Sequence, residues 1–195
     1  MRYLAASGYP VPEVYEADGR DLVLERLDGT DMLNDLGRRP WLVARHARTL
    51  ADLHDRLHQI PAPADLPVVA GPGSGAPGQG RAVLHMDLHP GNVMLTSRGP
   101  VVIDWVGAKA GAGGIDVAMA YLIMSTAETD LIPLWLRPVV GPLRAAYCRR
   151  FVAGVHDKPW PHLARAARLR MADINTRPSE AARLQRIAER AESTG

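Results

Sequence analysis

The chain has 195 residues, 47% hydrophobic and 23% charged, enough to bury a sizeable core without disulfide or metal staples. Its formal net charge of +2 is not gathered into a basic run, aromatic residues make up only 5%, and Cys148 is the single cysteine. These features speak against a nucleic-acid partner, an internal disulfide framework and a cysteine zinc cluster. There is no apolar run of about eighteen residues and no signal-peptide core at the N-terminus, so no membrane association and a cytoplasmic setting are expected.

Residues 1–7 read as a short helix, followed by a Gly/Pro stretch from Gly8 to Pro12. Strands are predicted at 13–17 and 21–25, joined by a turn at Asp18 and Gly19, with Val14, Leu22 and Leu24 expected on a buried face. The hairpin ends at Leu27, Asp28 and Gly29. From 40 to 60 the pattern is helical: Val43, Ala47, Leu50, Leu53, Leu57 and Ile60 form one apolar stripe, and Pro61 and Pro63 end it. Residues 61–80, rich in Pro, Gly and Ala, read as a flexible surface loop. Two more strands, 93–95 and 101–103, flank a turn at Ser97, Arg98 and Gly99. A Gly/Ala loop at 107–114 precedes helices near 116–126, 139–154, 161–173 and 178–192, with Pro178 in the first turn of the last. This order makes an α+β fold.

The chemistry concentrates in His85-Met86-Asp87-Leu88-His89-Pro90-Gly91-Asn92 and in Asp104 at the end of the 101–103 strand. Phosphoryl transfer to an alcohol needs a carboxylate to take the hydroxyl proton and oxygen ligands for Mg²⁺ on the nucleotide phosphates. A kinase catalytic loop supplies these as His, one residue, Asp, four residues, Asn; here His85, Asp87 and Asn92 hold those places. A second metal carboxylate belongs after a tight hairpin, where Asp104 stands. An isolated loop Asp or Asn is ordinarily a turn-former or cap. The spacing of the set is what points to chemistry.

These two segments, with 8–14, 22–29, Leu53-His54 and Gly114-Ile115-Asp116-Val117-Ala118, resemble the aminoglycoside phosphotransferase and choline kinase-like family, small-molecule kinases of the protein-kinase-like fold. The resemblance spans roughly residues 5–125. It implies a helical C-terminal lobe (29–195) carrying the catalytic-loop β-hairpin and metal site, and at 1–28 a remnant of the N-terminal lobe sheet, two strands and the hinge. It further implies ATP or GTP as donor, Mg²⁺, and a small hydroxylated acceptor. On that pattern Asp87 is the catalytic base, His85 braces the loop, and Asn92 and Asp104 are metal ligands. Glu25 and Leu27 offer backbone groups to the nucleobase, with Arg26 between them, while Asp116 ties the loop to the next helix.

The family's phosphate-covering loop, phosphate-binding lysine and paired helix glutamate have no counterpart before residue 10, and the two lysines, Lys109 and Lys158, come after the catalytic loop. The resemblance is to an N-terminally truncated or mis-started enzyme, or to a degenerate relative, expected to turn over slowly and to self-associate through an exposed edge strand. Arg26 and Arg81 are the candidates to replace the lysine. Two alternatives remain: a non-catalytic remnant that binds a ligand or partner, and a metal-dependent hydrolase built on His54 and His58. His54 lies on the apolar stripe and reads as a packed histidine, and replacing His58 is expected to change little. Gly73, Gly75 and Gly78 match a G-x-G-x-x-G pattern, but Arg81 to Leu84 read as strand or loop, not the helix a dinucleotide site needs.

Overall fold

The structure, a computed structural model, describes residues 1–19, 21–69, 81–126, 137–173 and 176–193. The glycine triplet at 73–78 lies outside them. The chain opens with α1 (Arg2–Ala6), β1 (Val14–Asp18) and β2 (Asp21–Leu24), the last two pairing antiparallel with Val14 opposite Leu24. β3 (Thr30–Asp31) leads directly into α2 (Met32–Arg38), whose Asp31 side chain caps the helix by accepting from the Asn34 amide. Neither β3 nor α2 is predicted from the sequence, because both are too short to show a period.

After a 3₁₀ turn (Pro40–Leu42), α3 (Val43–His58) carries the expected stripe: Ala47, Leu50, Leu53 and Leu57 are buried. They pack with Phe151, Cys148 and Val152 of α5 (Arg137–Gly154) into the main core. α4 (Gly113–Thr126) is apolar on nearly every side, with Ile115 through Ala120 all buried, as a central helix requires. Its Ala118 and Leu122 meet α6 (Leu163–Met171) and α7 (Pro178–Ser193) in a second cluster with Ala166, Ala167, Leu184 and Ala188. The predicted helices of the C-terminal half are present, with α7 starting at Pro178.

β5 (Val93–Thr96) and β6 (Gly99–Val102) form the expected hairpin, extended by β3 into a sheet of order β3-β5-β6. The stretch 107–114 departs from its predicted loop. It contains β7 (Lys109–Gly111), paired with β4 (Ala82–Leu84), and its last two residues already belong to α4. Part of 61–69 is likewise held: Val69 is buried, and Pro61 and Val68 bridge to Ala82 and Ala110.

The buried face expected for the first hairpin is absent. Leu22 is 55% and Leu24 36% exposed, because they and Val14 wall an open cleft instead of meeting a second layer. The link from this hairpin to the rest passes through Gly29 at φ +105°, where a Cβ would stand 2.0 Å from the Leu95 carbonyl oxygen. Gly29→Ala is therefore expected to lose more than the roughly 1–3 kcal/mol of backbone strain alone, read by urea unfolding. An unchanged midpoint would contradict this crossing.

Candidate active site

The loop 85–92 joins β4 to β5, and three sets of hydrogen bonds fix it. The first binds its start to α4. Asp116, fully buried in the first turn, accepts from the His85 amide through Oδ2 (3.0 Å) and from the Met86 amide through Oδ1 (2.6 Å). Asp116 thus has the tying role expected for it.

The second set binds the loop to the strand that ends at Asp104. His85 Nε2 donates to the Ile103 carbonyl (2.9 Å), the Asp87 amide donates to His85 Nδ1 (3.3 Å), and the Ile103 amide donates to the Asn92 carbonyl (3.0 Å). The His85 ring, against Trp105 at 4.5 Å between centroids, therefore braces the loop through both of its nitrogens. The Ile103–Asn92 bond continues the β5–β6 ladder by one residue, so Asp104 follows directly on the backbone partner of Asn92.

The third set orients the carboxylate. Asn92 Nδ2 donates to both the carbonyl (2.8 Å) and Oδ2 (3.0 Å) of Asp87. His89, which accepts from the Gly91 amide on Nδ1, stands 3.8 Å from Asp87 Oδ2 through Nε2. Burial lowers the His89 pKa, opposed by the Asp87 charge. Two residues adopt a left-handed backbone without being glycine: Met86 (φ 70°) just before Asp87, and Asp104 (φ 63°). Such conformations persist only where the surroundings impose them, and they concentrate at functional sites.

Of these residues Asp104 lines a cleft of about 670 Å³, walled also by Val14, Leu22 and Leu24 of the hairpin, by Glu25 and Leu27, and by Met94 and Ile103; Asp87 and Asn92 are not in its lining. Of the residues expected at the hinge, Glu25 and Leu27 line the cleft, whereas Arg26 is exposed and outside its lining. The Glu25 amide is already spent on the Glu13 carbonyl (2.8 Å), and its carboxylate meets Arg98 and the Glu13 amide. Among the described residues the Leu27 backbone has no such partner.

Neither candidate to replace the lysine, Arg26 or Arg81, is in the lining of the cleft. Arg81 lines a separate hollow beside α3, and among the described residues the cationic side chain lining the cleft is Arg2, which no sequence pattern marked. Lys158 caps the end of α5, donating to the Val152 and Val155 carbonyls, and Lys109 is in β7.

The two histidines of α3 part ways. His54 is the packed residue expected: Nδ1 donates to the Leu50 carbonyl of its own helix, the ring lies edge-on to Phe151, and burial lowers its pKa to about 4. His58 is not dispensable in the way expected. Its side chain is 5% exposed, with Nε2 donating to Asp116 Oδ2 (3.2 Å) and Nδ1 to Asp157 Oδ2 (3.0 Å). The pair therefore does not turn two free nitrogens toward one point, and among the described residues no group of three or more His, Cys, Asp or Glu could hold a metal.

Burial opposes the charge on His58, but the hydrogen bonds and charges of Asp116 and Asp157 outweigh it and raise its pKa to about 9. The same pairing holds Asp116 well below the usual carboxylate range, against its own desolvation. A raised imidazole pKa stabilises fully below the unfolded value of about 6.5, and the gain is lost as pH rises through about 9; the depressed Asp116 adds its share above about 3.9. Urea stability is thus expected to fall between pH 6.5 and 9 in the natural chain, and less in His58→Gln. Parallel pH profiles would contradict the pairing.

Residues 68–159 match the phosphotransferase enzyme family. No curated protein matches the chain in sequence. Among solved structures, aminoglycoside phosphotransferase APH(4)-Ia, a thermostable mutant bound to AMP-PNP and hygromycin B, superposes with a TM-score of 0.60 at 16% identity, covering 100% of this chain and 80% of that one. An aminoglycoside-3'-phosphotransferase of type VIII gives 0.52 at 21% identity, covering 97% and 77%. Amicoumacin kinase hAmiN, complexed with AMP-PNP, Ca²⁺ and Ami, gives 0.54 at 14% identity, covering 99% and 75%. The fold is that of these small-molecule phosphotransferases, and the resemblance read from the two motifs holds.

Proposed function

We propose that the chain is a small-molecule kinase, transferring the γ-phosphoryl group of ATP to an alcohol. The observation that carries this reading is Asp87, a carboxylate oriented by Asn92 on a loop locked both to α4 and to the strand that ends at Asp104, which itself lines the cleft. In this reading Asp87 accepts the hydroxyl proton while the acceptor oxygen bonds to the γ-phosphorus. The bond to the β,γ-bridging oxygen breaks, and ADP leaves. His85 and Asn92 keep Asp87 aimed.

The donor set suits a hard cation. Asp104 offers an exposed carboxylate, and Asn92, whose Nδ2 is occupied by Asp87, keeps its amide oxygen for a ligand. Asn92 and Asp104 are the residues that would hold Mg²⁺, which supplies charge neutralisation on the phosphates. Leu27 is the hinge residue suited to the nucleobase, since its backbone groups are uncommitted among the described residues. With no lysine among the residues lining the cleft, turnover is expected to be slow, by about 10²–10³ for one missing donor.

The neighbours' complexes with hygromycin B and Ami support a small hydroxylated acceptor. Calorimetry with Mg-ATP and label transfer from γ-labelled ATP to hydroxylated antibiotics test the proposal together. Magnesium-dependent binding with label in the acceptor supports it, and nucleotide binding that ignores magnesium ends it.

A further inference from the structure

Asp87 takes its direction from the two residues before it, and one of them, Met86, is held at φ 70°. A methionine has no local reason to stay left-handed, so something must hold its amide in place. That group is Asp116, whose Oδ1 takes the Met86 amide and whose Oδ2 takes the His85 amide. A third donor, His58 Nε2, reaches the same Oδ2 from α3 and adds a restraint on that carboxylate from outside the loop. His58 is in turn fixed by Asp157 on its other nitrogen. The two carboxylates lie on either side of one buried ring, at sequence separations of 58 and 99 residues.

The approach is built into the backbone. α4 starts with Gly113, where a Cβ would fall 2.0 Å from Asp157 Oδ2 and 2.4 Å from His58 Nδ1. Any larger residue would drive the ring off Asp116. His54, one turn earlier on the same helix, shows what a merely packed histidine looks like here: one bond to its own helix and a ring against Phe151.

We propose that His58 is a positioning residue of the catalytic loop, holding Met86 and thereby the direction of Asp87 through Asp116. This rests on the reading of Asp87 as the base.

Amide hydrogen exchange in the absence of nucleotide tests the geometry independently of that reading. In His58→Ala, exchange of the His85 and Met86 amides should rise by about tenfold or more while β5–β6 amides stay as they were. His58→Gln, which can still donate to Asp116, should restore most of the protection. Gly113→Ala, which keeps the histidine but crowds it, should loosen the same two amides. Should His58→Ala fail to fold, Asp157→Ala at a partly exposed position should shift these amides in the same direction by a smaller factor.

Mg-ATP hydrolysis, with water as acceptor, then reads the catalytic part. His58→Ala should lower kcat about tenfold or more with KM for Mg-ATP within about twofold, again rescued by Gln. Unchanged exchange at His85 and Met86, a uniform rise over the whole chain, or a loss confined to KM would each overturn the proposal. Protected amides that loosen as expected in a chain that binds no Mg-ATP would instead overturn the kinase reading.

Discussion

Asp87→Asn is expected to cut phosphoryl transfer by about 10²–10⁴-fold, the span typical for losing a positioned general base, while Mg-ATP still binds. The variant preserves the local geometry: an asparagine oxygen can still accept from Asn92 Nδ2, which now lies 3.0 Å from Asp87 Oδ2, and the loop remains clamped by Asp116 and His85. What is lost is proton affinity at the oxygen nearest the acceptor. Asp104→Ala should behave oppositely, weakening Mg-ATP binding because it removes a charged oxygen ligand from the cleft wall. Calorimetry on both variants, with steady-state kinetics on the first, separates the roles. Equal loss of binding in both would mean that the two aspartates do not divide base and metal chemistry in this way.

Asp116→Ala is expected to be the most damaging single change to the fold. It removes one partner of a buried ion pair and strands the His58 imidazolium together with the His85 and Met86 amides, all of which now donate to it. Breaking a buried pair in this way costs about 3–5 kcal/mol. In a chain of this length that corresponds to a fall in Tm of roughly 6–20 °C. Thermal unfolding near pH 6, where both members are charged, should show the full effect, and the gap to the natural chain should narrow as pH rises toward about 9 and His58 discharges anyway. A loss below about 1 kcal/mol at pH 6 would show that the carboxylate is a spectator.

Features that depend on near neighbours in the chain can be read from its residues. The stripe from Ala47 to Leu57 predicts α3 because a helix repeats every 3.6 residues, and the β-branched run at 101–103 predicts the second hairpin for a similarly local reason. The spacing of His85, Asp87, Asn92 and Asp104 was legible because it is local: loop and hairpin lengths set the Asn92–Ile103 bond, after which Asp104 follows directly.

Other features depend on elements distant in sequence. β7 forms from a Gly/Ala stretch without strand character because β4 offers it a partner. Leu22 and Leu24 have the alternation of a buried face, yet they stand exposed, since alternation says which side chains share a face and not what that face meets. Arg2 reaches the cleft, and Arg26 does not, through the way α1 and the hinge lie against it. His58 reads as one more helical histidine until α4 and the end of α5 bring Asp116 and Asp157 to its two nitrogens. A buried charge is satisfied by whatever the fold places beside it, and that placement has no period in the chain.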